Sequence, residues 1–85
     1  MKKVFEARYN EHEIVVENRW FTGEKLYVDG VLQDENLGLS FRATLYGQIK
    51  TEDRPKIIKV TIGGNFQIHC KIFVDNEAVD TFLVK

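Results

Sequence analysis

The chain has one cysteine, one proline and no long apolar run. Each scarcity excludes something. Cys70 has no second thiol to pair with, whereas a small exported domain of this size usually carries several disulfides, so a reducing compartment is expected and the cytoplasm is the default. No segment approaches the roughly 18 apolar residues that span a bilayer, and none shows a basic amphipathic helical pattern, so no membrane partner is expected. Met1-Lys2-Lys3 imitates the start of a signal peptide, but Val4-Phe5-Glu6-Ala7-Arg8 places charges where its apolar stretch belongs. Charge of one sign is lacking too. Twelve basic residues against thirteen acidic ones give a net charge of -1, too little field to collect a nucleic-acid backbone, so no nucleic-acid partner is expected.

What remains is an ordinary globular composition, 44% hydrophobic and 29% charged, in 85 residues that form a single domain over 1–85. Its dominant pattern has period two. Phe66, Ile68, Cys70, Ile72 and Val74 alternate with Gln67, His69, Lys71 and Phe73, which predicts a long antiparallel strand with one buried face. Ile58, Val60 and Ile62 alternate before it, and Gly63-Gly64-Asn65 between them supplies cheap positive φ for a reversal. Asp75-Asn76 then predicts a tight turn into Ala78, Val79, Phe82 and Leu83. In the first half, Ile14-Val15-Val16 and Lys25-Leu26-Tyr27-Val28 read as strands, and Asp29-Gly30 before Val31-Leu32 is a type I′ hairpin signal. Leu39, Phe41, Ala43 and Leu45 alternate again up to Gly47, and residues 51–55 read as a surface loop around Pro55. No window holds a 3.6-residue period. About seven or eight short strands with little or no helix predict an all-β fold, a small antiparallel sandwich or flattened barrel.

Laying Ile14-Val15-Val16 on Val60-Thr61-Ile62 also lays Trp20 on Phe66, Lys25–Asp29 on Lys71–Asp75, and Asp34 on Asp80. A duplicated hairpin unit over 12–35 and 57–80 would produce this match. So would any two alternating hairpins slid into phase.

The run His12-Glu13-Ile14-Val15-Val16-Glu17-Asn18, followed by Gly23-Glu24-Lys25-Leu26-Tyr27-Val28-Asp29-Gly30, resembles the opening hairpin of the Fas apoptotic inhibitory molecule family. Phe41–Gly47 and Ile57–Asn76 fall where the later strands of that family would lie, so the resemblance covers roughly 12–80. It implies an all-β sandwich that works by protein contact without catalysis. The second unit departs from it by ending in Val74-Asp75-Asn76 rather than a turn glycine. The same pattern is equally similar to that of a small bacterial all-β protein.

Candidate chemistry is sparse. Strand alternation places Cys70 on the face of Ile68 and Ile72 and His69 on the other, so the two neighbours in sequence are separated in space; Cys70 reads as a core residue. Ser40 lacks a nucleophile-elbow context. His12 and His69 with one thiol make no recognised ligand set, so no metal and no cofactor are expected. Asp29, Asp34 and Glu35 read as turn residues rather than a glycosidase pair, and Gly63-Gly64 lacks the lysine and helix of a phosphate cradle. No catalytic residues are assigned, and the chain is expected not to be an enzyme.

The aromatic residues carry the binding expectation. Tyr27, Tyr46 and Phe73 fall opposite the predicted core face, and Trp20-Phe21 stand beside a turn at Thr22-Gly23. Clustered on one surface they would anchor a partner, a sugar or a second copy of the chain, since exposed aromatics are enriched in interface hot spots. The competing reading is that a second layer covers them. The leading expectation is therefore a protein-interaction or self-associating module, a homodimer included, and the alternative is a small-ligand or carbohydrate binder with a pocket between the sheets or near Trp20.

Overall fold

The computed structural model describes residues 2–19, 23–37, 42–64 and 67–85. These form nine strands and no helix: β1 (Lys2–Tyr9), β2 (His12–Arg19), β3 (Gly23–Val28), β4 (Val31–Leu37), β5 (Arg42–Ile49), β6 (Lys56–Gly63), β7 (His69–Val74), β8 (Glu77–Val79) and β9 (Phe82–Leu83). Two antiparallel sheets result, ordered β4-β3-β2-β1-β9 and β5-β6-β7-β8. The chain is an all-β sandwich, as its alternation predicts. Residues 2–9 lie outside the strands read from the sequence, yet they form β1, with Phe5 and Ala7 buried and alternating with Glu6 and Arg8.

The apolar positions of alternation meet between the sheets. Ile14, Val16, Leu26, Leu45, Ile58, Val60, Ile72 and Val74 are each at most 1% exposed, and Tyr9, Ile68, Cys70 and Val79 pack at the margin. At roughly 1.5–3 kcal/mol per fully buried large aliphatic side chain, this layer supplies most of the driving force, since Cys70 is free and no disulfide ties the sheets.

Every neighbouring pair in the circuit from β1 to β9 is hydrogen-bonded except β4 with β5 and β8 with β9. At the first of these open corners, side chains take the place of a ladder. Asp34 Oδ2 accepts from the Tyr46 amide at 2.9 Å, and Gln33 Oε1 accepts from the Gln48 amide at 3.4 Å. Consecutive residues of a regular strand point to opposite faces, so Gln33 and Asp34 should not both reach β5. A bulge resolves this: Leu26 faces Asp34 and Tyr27 faces Leu32, leaving Gln33 unpaired. Gly47 leaves room for the approach; a Cβ there would stand 3.1 Å from Leu26 and 3.3 Å from Gln33. Asp34→Ala is expected to lower stability by about 0.5–1.5 kcal/mol, read as a lower urea midpoint at unchanged slope.

The two hairpin turns predicted from Asp29-Gly30 and Asp75-Asn76 are both present, with φ of 50° and 82° in the first and 48° and 69° in the second. Each aspartate also caps the strand beside it. Asp29 accepts from the Glu13 amide and from His12 Nδ1, and Asp75 accepts from the Ile57 amide while lying 3.6 Å from Lys56. These amide hydrogen bonds hold both carboxyls below the usual aspartate range, helped by His12 in one case and outweighing a small desolvation in the other. The two turns match, but the strands leading to them do not match under one slide of the sequence. Ile14 lies opposite Val28 and Ile58 opposite Val74, whereas Val60 lies opposite Ile72. Ile14 therefore corresponds to Ile58 in the ladder and not to Val60, because the link from β6 to β7 is longer than that from β2 to β3.

Candidate functional site

The binding residues suggested by the sequence are dispersed by the fold. Trp20 and Phe21 lie outside the described residues. Tyr27 is half-buried on the outer face of the five-stranded sheet, in a row with Glu6, Val15 and Leu32. Tyr46 and Phe73 stand on the opposite side of the molecule, on the outer face of the four-stranded sheet. There the ladder sets Tyr46, Lys59, Phe73 and Ala78 in one row across β5, β6, β7 and β8. With strands about 4.8 Å apart, the two aromatics are separated by roughly 10 Å with a lysine between them.

Around this row, Ile57 is 46% exposed and Tyr46 53% exposed. A groove of about 400 Å³ is lined by Tyr46, Arg54, Ile57, Lys59, Asp75 and Asn76. Arg54 is placed there by the loop 50–55, whose Thr51 hydroxyl donates to the Arg54 carbonyl at 2.6 Å. A second depression of about 440 Å³ lies at the other end of the same face, where Thr44, Thr61, His69 and Lys71 contribute to its lining. Among the described residues, the outward positions of β5, β6 and β7 carry no carboxylate. Ile57, Arg54 and Lys59 escape sequence reading because only the register between β5 and β6, and the return of the 50–55 loop, bring them beside Tyr46. The alternation of Ile57 and Lys59 against Ile58 and Val60 does mark both as outward-facing.

The candidate catalytic groups are separated or engaged. Cys70 points inward opposite Ile62 while His69 is exposed. Burial pushes the Cys70 thiol up to about 12. Labelling by a thiol reagent at pH 8 is expected to be at least about a hundredfold slower in the folded protein than in urea, because little thiolate forms in an apolar site; comparable rates would contradict that burial. His12 begins β2 opposite Tyr9, and His69 begins β7 opposite Gly63, at the other end of the sandwich. Among the described residues no three His, Cys, Asp or Glu side chains group as metal ligands. Asp29 and Asp34 are engaged as acceptors in the turn and corner contacts.

A buried polar pair lies inside the sandwich, and no sequence motif marks it. Asn18 and Glu24 are 6% and 3% exposed and directly opposed across β2 and β3, and Asn36 faces Glu24 from β4. Asn36 Nδ2 donates to Glu24 Oε1 at 3.3 Å, but Asn18 Oδ1 is buried with no hydrogen-bond partner among the described residues. Desolvation raises the Glu24 pKa above its ordinary value, and the Asn36 hydrogen bond offsets only part of this.

The fold and its outer face define a small antiparallel β-sandwich with one cationic, aromatic sheet surface. No protein-family model matches the chain, and neither curated proteins nor solved structures give a match. Among the described residues no helix is long and apolar enough to cross a membrane.

Proposed function

We propose that the protein is a non-enzymatic β-sandwich module that binds another protein through the outer face of its four-stranded sheet. The observation that carries this reading is the row Tyr46, Lys59, Phe73 and Ala78 with exposed Ile57 alongside. Aromatic and aliphatic side chains grouped on an accessible sheet are the material of interface hot spots. Pairing through a free edge has less to support it. Two amides of β5 are already taken by Asp34 and Gln33, and β8 and β9 are only three and two residues long. A ligand between the sheets would have to displace the fully buried aliphatic side chains already there.

Selection of displayed random peptides on the whole protein tests this. Enriched peptides are expected to lose binding to Tyr46→Ser and Phe73→Ser variants while still binding a Tyr27→Ser variant. Peptides indifferent to Tyr46 and Phe73 would sink the assignment. Sedimentation at increasing concentration tests self-association in parallel; a dimer dispersed by Tyr46→Ser would make a second copy the protein that binds.

A further inference from the structure

We infer that this face takes an acidic peptide segment carrying a large apolar side chain at its centre, an inference that rests on the protein-contact reading above. The apolar side chain sits against Tyr46 and Ile57 in the 400 Å³ groove, and the flanking carboxylates meet Arg54 and Lys59 at the groove and Lys71 one row further along the same face.

The chain as a whole is nearly neutral at -1, but its charge is unevenly spread. The outer face of the five-stranded sheet mixes Glu6, Glu13 and Glu17 with Arg8 and Lys25, whereas the described outward positions of β5, β6 and β7 include Lys59 and Lys71 and no carboxylate. The acid nearest the groove, Asp75, is engaged by the Ile57 amide and Lys56, and Arg54 adds a further positive charge beside it. Cations flanking an exposed aromatic and aliphatic floor match carboxylates flanking an apolar residue, and such pairing speeds encounter and rejects wrong partners.

A second copy of the chain fits less well. A two-fold dimer through this face would bring its own lysines together, because an isologous interface opposes a patch to itself. Single-stranded nucleic acid also fits less well, since Ile57 and Ala78 offer aliphatic surface rather than stacking platforms and the whole chain is slightly anionic.

The test uses fluorescence anisotropy of the full chain with a short labelled peptide carrying glutamates around a central leucine-phenylalanine pair. Its counterparts carry lysine for glutamate, serine for both acidic and apolar positions, or glutamine for glutamate. The acidic peptide is expected to bind most tightly, to weaken several-fold between about 50 and about 500 mM salt as the Debye length shrinks, and to weaken at least about tenfold for Lys59→Glu with Lys71→Glu. The milder Lys59→Gln with Lys71→Gln reports the same direction should the reversal disturb folding. An oligothymidine strand is expected not to compete; competition by it would make the face a polyanion site and overturn the inference. If the glutamine peptide binds as tightly as the acidic one and loses binding in Tyr46→Ser, the acidic partner is wrong while protein contact at this face stands. If no peptide responds to Tyr46→Ser or Ile57→Ser, both fall.

Discussion

Gly23→Ala is expected to cost about 2–6 kcal/mol, a large share of the roughly 4–13 kcal/mol available to a domain of this length. Two independent penalties coincide at this position. Gly23 has φ of 104°, which strains any residue with a Cβ by about 1–3 kcal/mol. A Cβ there would also stand 1.8 Å from the Asn36 carbonyl oxygen, so β3 and β4 would have to separate where Gly23 pairs with Leu37. Overpacking of that kind adds about 1–3 kcal/mol. Gly30→Ala is the matched control. Its φ is 82° but no atom of the described residues lies within 4 Å of the added carbon, so it should cost only about 1–2 kcal/mol. Urea denaturation of the two variants measures the difference, and equal costs would show that the contact with Asn36 is not the cause.

Glu24→Gln, one residue along, is expected to do the opposite and stabilise the protein by about 1–3 kcal/mol at pH 8, the cost of a buried polar group left unsatisfied. For a domain of this size that raises Tm by upwards of about 5 °C. The isosteric amide removes a charge from a site only 3% exposed, keeps an oxygen to accept from Asn36, and supplies an N–H for Asn18 Oδ1, which has no partner among the described residues. The pH dependence gives the sharper signature. With its pKa raised by desolvation, native Glu24 holds its proton at pH values where the unfolded chain has released it. Stability therefore declines as pH rises from the ordinary glutamate range through the raised value, and the advantage of Glu24→Gln should open across that window and vanish below about pH 4, where both side chains are neutral. Below it, wild type and variant should lose stability together, because the lowered pKa values of Asp29 and Asp75 stabilise the fold above the ordinary aspartate range and fail as pH falls through them. Thermal melts of both proteins from pH 3 to pH 8 decide this. A variant less stable than wild type at pH 8, or an advantage independent of pH, would refute the account.

Both residues were within reach of the sequence, for different reasons. Ile14, Val16 and Asn18 share one strand face, as do Glu24, Leu26 and Val28, so period two alone puts an amide and a carboxyl at core positions. That Asn18 opposes Glu24 needs the register of β2 on β3, which Asp29-Gly30 does not set. Gly23 sits at a turn legible from Thr22-Gly23, but the Asn36 oxygen that makes it indispensable belongs to a strand more than ten residues away. β1 was legible in the alternation of Phe5, Ala7 and Tyr9 with Glu6 and Arg8.

The aromatic surface shows the same division. Alternation places Tyr27, Tyr46 and Phe73 away from the core, and it does so by steric necessity, because successive side chains of a strand leave on opposite sides. It is blind to which sheet each strand joins. Tyr27 and Phe73 share an offset within their hairpins, each two residues before the turn aspartate, yet they emerge on opposite sides of the sandwich.

The amino-acid pattern by itself determined the all-β class, the buried and outward faces of β2, β3, β6 and β7, the Asp29-Gly30 and Asp75-Asn76 turns and the inward thiol of Cys70, because each depends on residues within a few positions of one another. Only the tertiary structure decided the bulge that turns Gln33 and Asp34 toward β5, the opposition of Asn18 and Glu24, and the meeting of Tyr46 with Ile57, Lys59 and Arg54. Those depend on register and sheet packing, which arise from the burial of the whole apolar set at once and not from any local run.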